Sequence, residues 1–303
     1  MRSDSTLTLV QRTHGGRTQR PGDDDEVVYT AESSLRHPVR LAREMLGAVR
    51  ASRSLAWQLA LRDLRAQYRQ SLLGVAWAFI PPIVLAAGFT LANQANVIRV
   101  GATDIPYPAY VMFSTSLWQA FVEAMNGPVA GVAAARSMLA RVNFPRESIV
   151  LAKLIEIGVN LLVKLLLVVA LFWWFAVPVA STVALAPLAL LSLILFGTLV
   201  GLFLAPIGLL YRDVSRGLAL LTGTWLLLTP VVYPVPESGS FATLVHWNPV
   251  TPLLVTTREL ATTGVVSDPL GFAVVTGASL VGLLVTWVVF RVAMPFVVER
   301  VGS

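Results

Sequence analysis

The chain has 303 residues, of which 55% are hydrophobic and only 13% charged, and its mean hydropathy is +0.70. Soluble domains carry about 25% charged residues, so a secreted or cytosolic globular enzyme is excluded. The net charge of +6 does not mark a nucleic-acid partner, because 12 of the 23 basic residues precede Gln70, as in a cytoplasmic segment beside anionic lipid.

The charges leave long gaps. There are 29 uncharged residues between Arg69 and Arg99, 20 between Arg216 and Glu237, 47 between Lys164 and Arg212, and 22 between Asp268 and Arg291. A membrane helix needs about 20 apolar residues. Continuous apolar runs also exclude an outer-membrane β-barrel, whose strands alternate. The expected fold class is all-α: a polytopic membrane protein with six transmembrane helices, an N-terminal interfacial helix and short re-entrant external segments.

In chain order, residues 1–54 form a polar extension with an acidic run, Asp23 to Glu26. Lacking the apolar core of a signal peptide, it reads as a solvated, disordered cytoplasmic tail. The domain proper is expected over 55–303. Over 55–69 the period places Trp57, Leu61, Leu64 and Tyr68 on one helical face and Gln58, Arg62, Arg65 and Arg69 on another. That is an amphipathic helix at the membrane interface, also readable as a basic flank of the first span. Spans are expected near 72–91, 110–134, 148–176, 183–210, 218–233 and 270–290. Pro81 and Pro82 are placed inside the first, where they would kink it. The segment 234–268 holds apolar stretches too short to cross.

With the N-terminus inside, 19 of the 21 arginines fall on cytoplasmic segments, and only Arg99 and Arg258 fall outside. The positive-inside rule therefore places both termini in the cytoplasm. Arginine outnumbers lysine 21 to 2, which points to a G+C-rich bacterial genome and hence an inner or plasma membrane.

The chain carries no phosphate-cradling G-x-x-x-x-G-K-[ST] loop, so ATP hydrolysis by it is not expected. His14, His37 and His246 are too scattered for a His-x-x-x-His metal site. There is no cysteine, hence no thiolate chemistry. No catalytic residue, metal or bound cofactor is expected. What remains is polar residues within spans, which face a bundle interior or a pathway. Lys153, Glu156, Asn160 and Lys164 share one stripe of the third span. Lys153 and Glu156 can pair at i, i+3, and Glu123 on the second span can reach either lysine. The stripe is either a wall of a translocation pathway or a structural seam between helices. Tyr107, Tyr110, Trp118, Phe121 and Tyr233 join it as pathway candidates, because aromatic faces stack on sugar rings. Trp173 and Trp174 read as interface anchors.

Several segments together resemble the ABC-2 type permeases that export polysaccharides. They are Tyr68-Arg69-Gln70-Ser71-Leu72-Leu73-Gly74-Val75-Ala76-Trp77, Pro106-Tyr107-Pro108 with Leu117-Trp118-Gln119-Ala120-Phe121, and Asn143-Phe144-Pro145-Arg146-Glu147. Leu210-Tyr211-Arg212-Asp213-Val214, Thr229-Pro230-Val231-Val232-Tyr233-Pro234 and Asn248-Pro249 complete the set. The resemblance covers about 55–295. It implies a passage made by two copies of the chain, and two copies of a separate ATP-binding cassette subunit that carries ATP and Mg²⁺. It also implies outward movement of a lipid-linked O-antigen, teichoic acid or galactan. Such a subunit must push on cytoplasmic segments. The basic loop Arg136, Arg141, Phe144, Pro145, Arg146, Glu147, leading into the third span, is the first candidate contact. Arg62, Arg65 and Arg69 are the second. These arginines also set topology and bind lipid headgroups. An ABC-2 drug or lipid exporter permease is the alternative within the superfamily. An ion-coupled secondary transporter lacks support from an internal repeat, and a membrane glycosyltransferase from an acidic catalytic loop.

Overall fold

A computed structural model describes residues 38–302 apart from 70–73, 99, 140, 142 and 143. The described residues are helical and turn structure, with no strand among them. In chain order the helices are α1 (Pro38–Arg69), α2 (Ile80–Gln94), α3 (Tyr107–Ala134), α4 (Arg136–Leu139), α5 (Glu147–Trp174), α6 (Ala186–Leu210), α7 (Asp213–Leu228), α8 (Ser240–Trp247), α9 (Val250–Thr262) and α10 (Pro269–Gly302), with 3-10 turns at Gly74–Ala78 and Ser181–Leu185. Met1–Leu41 form a separate unit from Ala42–Ser303, and most of the extension lies outside the described residues.

Among the described residues three helices are long and apolar enough to cross a membrane: Glu147–Trp174, Ser181–Leu210 and Pro269–Arg300. The other expected spans depart from that pattern for identifiable reasons. Pro81 and Pro82 stand in the first turn of α2 rather than inside it, where a missing N–H costs nothing. The first expected span thus becomes a 3-10 turn followed by 15 helical residues, about 22 Å at 1.5 Å per residue. Helix α7 starts at Asp213 and stops at Leu228, five residues before the expected Tyr233, because Thr229 is extended (φ −107°, ψ 133°) ahead of Pro230. Helix α3 has the length, 28 residues, but Ser114, Thr115, Ser116, Gln119, Glu123 and Asn126 make it less apolar, and Ala109 to Trp118 are all buried. Beyond the sixth expected span, α10 continues helically to Gly302. At the other end, residues 38–54 are helical too, so the helix expected over 55–69 begins well inside the polar extension.

Packing orients the bundle. The start of α5 (Leu151, Ala152, Ile155) meets Ala56, Leu59 and Ala60 of α1. Just past its far end, the Ala180 N–H donates to the Ala261 carbonyl of α9 (3.2 Å). The helix from Ile155 to Trp174 puts these two contacts about 30 Å apart at 1.5 Å per residue. Helices α1 and α9 therefore cap opposite ends. The core runs along α3, where Phe121 packs on Phe196 (ring centroids 6.0 Å) and Trp225 (5.4 Å).

The α3–α6 seam is set by small residues on α6. A Cβ added at Gly197 would sit 2.8 Å from the Phe121 carbonyl oxygen, and one at Gly201 only 2.2 Å from that of Met125. With Ala205 following, this is the small-xxx-small spacing that lets membrane helices approach backbone to backbone.

Candidate functional site

At the α1 end, the face that packs against the rest of the chain is a different one from the apolar face read off the sequence. Trp57 is 57% exposed, whereas Ser52, Ala56, Leu59 and Ala60 are buried. That narrower stripe, at i, i+4, i+7 and i+8, fits flush against α5. Continuing it reaches Asp63, which accepts from the Lys153 ammonium (3.1 Å) and from Arg62 (2.8 and 2.9 Å). Lys153 also donates to Glu156 (2.6 Å). The expected i, i+3 pair is thus a triad that ties α1 to α5. Burial pushes the Asp63 carboxyl up, but Arg62 and Lys153 pull it further down, to below its ordinary value. Asp63 is not among the sequence candidates. Its signal is positional, an acid continuing a stripe of small residues.

The basic loop divides in two. Arg136, Arg141 and Pro145 are exposed. Phe144 packs partly into the core, and Glu147 is buried in the first turn of α5. Arg146 is half-buried, and desolvation lowers its pKa, partly offset by Glu147. Met138 of α4 packs against the buried face of α1. The loop and the α1 arginines, remote in sequence, therefore share one end of the molecule. Arg62 and Arg65 are exposed there; the side chain of Arg69 lies outside the described residues.

The polar stripe of α5 faces α3 and α1. Gly131 of α3 lies so close to Lys153 that a Cβ there would come within 2.9 Å of the lysine Cγ. Farther along, Lys164 donates to Glu123, so the structure selects this lysine as Glu123's partner. The pair is asymmetric: the Lys164 side chain is 3% exposed and that of Glu123 34%. Asn160, between the two lysines, is buried.

Tyr107, Tyr110 and Tyr233 gather at the opposite end. The Tyr107 hydroxyl donates to the Val232 carbonyl and the Tyr110 hydroxyl to the Tyr233 carbonyl, each at 2.9 Å, which satisfies the unwound chain after α7. Tyr110, Trp118 and Phe121 are enclosed within the chain itself, while Tyr107 and Tyr233 keep partial exposure. Arg258, expected on an external connection, is instead 5% exposed inside this cluster. Its guanidinium lies over the Tyr110 ring (4.2 Å to the centroid) and donates to Ser114 Oγ (3.0 Å) and the Pro230 carbonyl (3.2 Å). Asn248 accepts from Trp225 Nε1 (2.9 Å) and the Val250 N–H (3.1 Å), and donates to Thr229 Oγ1 (2.8 Å). It fastens α8 and α9 to the end of α7. The stretches too short to cross are thus two helices docked on the bundle. Among the described residues no group of three or more His, Cys, Asp or Glu could hold a metal ion.

Comparison with known proteins adds two findings. Residues 54–260 match the family model described as ABC-2 type transporter. The O-antigen export system permease protein RfbA of Myxococcus xanthus is 26% identical over 229 residues, covering 73% of this chain and 84% of that protein. Two proteins of the same name from Klebsiella pneumoniae are 26% identical over 208 residues, covering 67% and 78%, and 23% identical over 211 residues, covering 68% and 79%.

Proposed function

The chain belongs to the ABC-2 type transporter family, and from that premise we propose that it is the permease subunit of an ATP-driven exporter of lipid-linked polysaccharide. The observation that carries the substrate class is the likeness to O-antigen export permeases along most of both chains. In this reading two copies enclose the passage in a bacterial inner or plasma membrane. All six helices α2, α3, α5, α6, α7 and α10 cross it, and both termini are cytoplasmic. The short helices α2 and α7 are extended by the turn before one and the unwound segment after the other. Arginine placement supports the orientation. The α1 end carries the exposed Arg62, Arg65, Arg136 and Arg141, on the side where the positive-inside rule puts cations.

ATP and Mg²⁺ are held by a separate ATP-binding cassette subunit, two copies per exporter, docked at the α1 end. It presses on the Arg136–Glu147 loop and on α1, and the Asp63–Lys153–Glu156 triad passes that displacement to α5. Pathway residues are drawn from Glu123, Lys153, Glu156, Asn160, Lys164 and the tyrosines Tyr107 and Tyr233.

The test is a gene deletion complemented by variants. Deletion should strip polymer from the cell surface and trap its lipid-linked form inside, and the wild-type chain should restore export. Arg136→Glu with Arg141→Glu, both exposed, should insert normally but lose association with the ATP-binding subunit. Unchanged surface polymer after deletion would overturn the substrate assignment. Accumulation of a drug or a free lipid instead would point to the other branch of the superfamily. Full export by the double variant would overturn the docking site.

A further inference from the structure

Helix α3 is buried on every side but one. Along that side lie Gln119, Glu123, Asn126 and Ala130, at helical angles within about 60° of one another. The first three are partly exposed and Ala130 is exposed, while Ala120, Phe121, Ala124, Met125, Pro128 and Val129 between them are buried. The side-chain amides of Gln119 and Asn126 have no hydrogen-bond partner among the described residues. Glu123 has one oxygen engaged by Lys164, whose ammonium is enclosed, while a third of the glutamate side chain stays open. Glu123 stands sixteen residues from the start of α3, about 24 Å along it and past its midpoint. Two unpaired amides and a carboxylate, in line and at membrane depth, cannot face hydrocarbon without a cost of several kcal/mol per group.

Two coverings remain: a second copy of the chain, or water and cargo. A two-fold contact brings a surface near the axis against itself, which would set Glu123 toward the partner's own carboxylate. That favours a space between copies over a seam. The chemistry of the stripe is specific. Carboxamides both donate and accept, and a carboxylate accepts from paired hydroxyls. No cation is exposed on it, since Lys164 is enclosed, so the stripe suits neutral hydroxyl-rich groups rather than phosphate. We propose that Gln119, Glu123 and Asn126 form a hydrogen-bonding ladder for the sugar hydroxyls of the exported polymer, with Lys164 as the positioning residue that holds the Glu123 carboxylate in register. This rests on the polysaccharide-exporter assignment above.

Because the chain has no cysteine, a single cysteine introduced into it is its one reactive thiol, read on this chain after separation from the ATP-binding subunit. Asn126→Cys, in vesicles carrying the complete exporter, should react with a charged, membrane-impermeant thiosulfonate. The host's own lipid-linked polymer, accumulated in the absence of ATP, should slow that reaction at least several-fold. Gln119→Leu with Asn126→Leu should leave protein level, self-association and binding of the ATP-binding subunit unchanged while surface polymer falls about tenfold or more. Gln119→Asn, which keeps the amide on a shorter arm, should lose less export than Gln119→Leu. Full export by the double leucine variant would overturn the ladder, as would labelling of the Asn126→Cys variant by lipid-soluble reagents alone. Loss of self-association in the leucine variant would assign the stripe to a seam and also overturn it. Failure of the exporter assignment is distinct: there, deleting the gene leaves surface polymer unchanged before any variant is introduced.

Discussion

Replacing Gly201 by alanine tests the α3–α6 seam most directly. The added Cβ would lie 2.2 Å from the Met125 carbonyl oxygen, 2.9 Å from its carbon and 3.1 Å from Pro128 Cδ. Ordinary contact begins at 3.4 Å, so the helices must part locally by about 1.2 Å, the difference between those two distances. The obstructing atoms are backbone and cannot rotate aside, which puts the cost near the top of the usual overpacking range, about 3 kcal/mol. Alanine returns about 1 kcal/mol of helix propensity, for a net loss of about 2 kcal/mol. Gly158 of α5 is the internal control, since a Cβ there meets nothing within 4 Å and the same change gains up to about 1 kcal/mol. Unfolding midpoints of the two purified variants, in one detergent and against one wild-type preparation, give the comparison. If Gly201→Ala is as stable as Gly158→Ala, the close backbone approach is not what holds α3 against α6.

Other substitutions probe the charged contacts. Glu123→Leu strands an enclosed ammonium and should cost about 3 kcal/mol or more. Lys164→Met leaves a carboxylate that reaches water and should cost clearly less, and the double variant should recover much of the loss; equal single costs in a denaturation series would contradict the burial asymmetry. Asp63 has a depressed pKa in the folded protein, so its contribution is present above its unfolded value of about 3.9 and is lost as pH falls through the lower folded value. The melting temperature of Asp63→Asn should accordingly fall less steeply than that of wild type on acidification. Parallel curves would remove Asp63 from the α1–α5 contact.

Much of this is legible in the sequence because it is local or additive. Charge-free runs need only composition along the chain, and two of them fall on the three described helices apolar enough to cross a membrane; the Lys153–Glu156 pair needs only the helical period. What escapes depends on partners distant in sequence. Asp63 meets Lys153 across 90 positions and Arg258 meets Ser114 across 144, and neither pairing leaves a local trace. The periodicity of α1 brings out its large apolar residues and passes over the narrow stripe that packs on α5, because small side chains are what permit close helix packing. Pro81 and Pro82 read as interior to a span because apolarity alone does not mark where a helix begins. The α3 stripe is half visible: Glu123 stands out by its charge, whereas Gln119 and Asn126 become notable only once burial on their other flanks is known.

Arg258 carries a consequence for electrical behaviour. A guanidinium stays protonated at any physiological pH, and this one is bonded to neutral acceptors and an aromatic ring. The end of the bundle that holds it therefore keeps a fixed positive charge, whereas the α1 end loses its Asp63 anion in acid. Moving one elementary charge through the full membrane potential is worth about 2.3 kcal/mol per 100 mV. A displacement of α9 across a tenth of the field would couple to voltage by about 0.2 kcal/mol per 100 mV. In the orientation proposed above, with α9 at the external end and the interior negative, the resting potential would draw Arg258 toward the bundle and favour the seated position of α9.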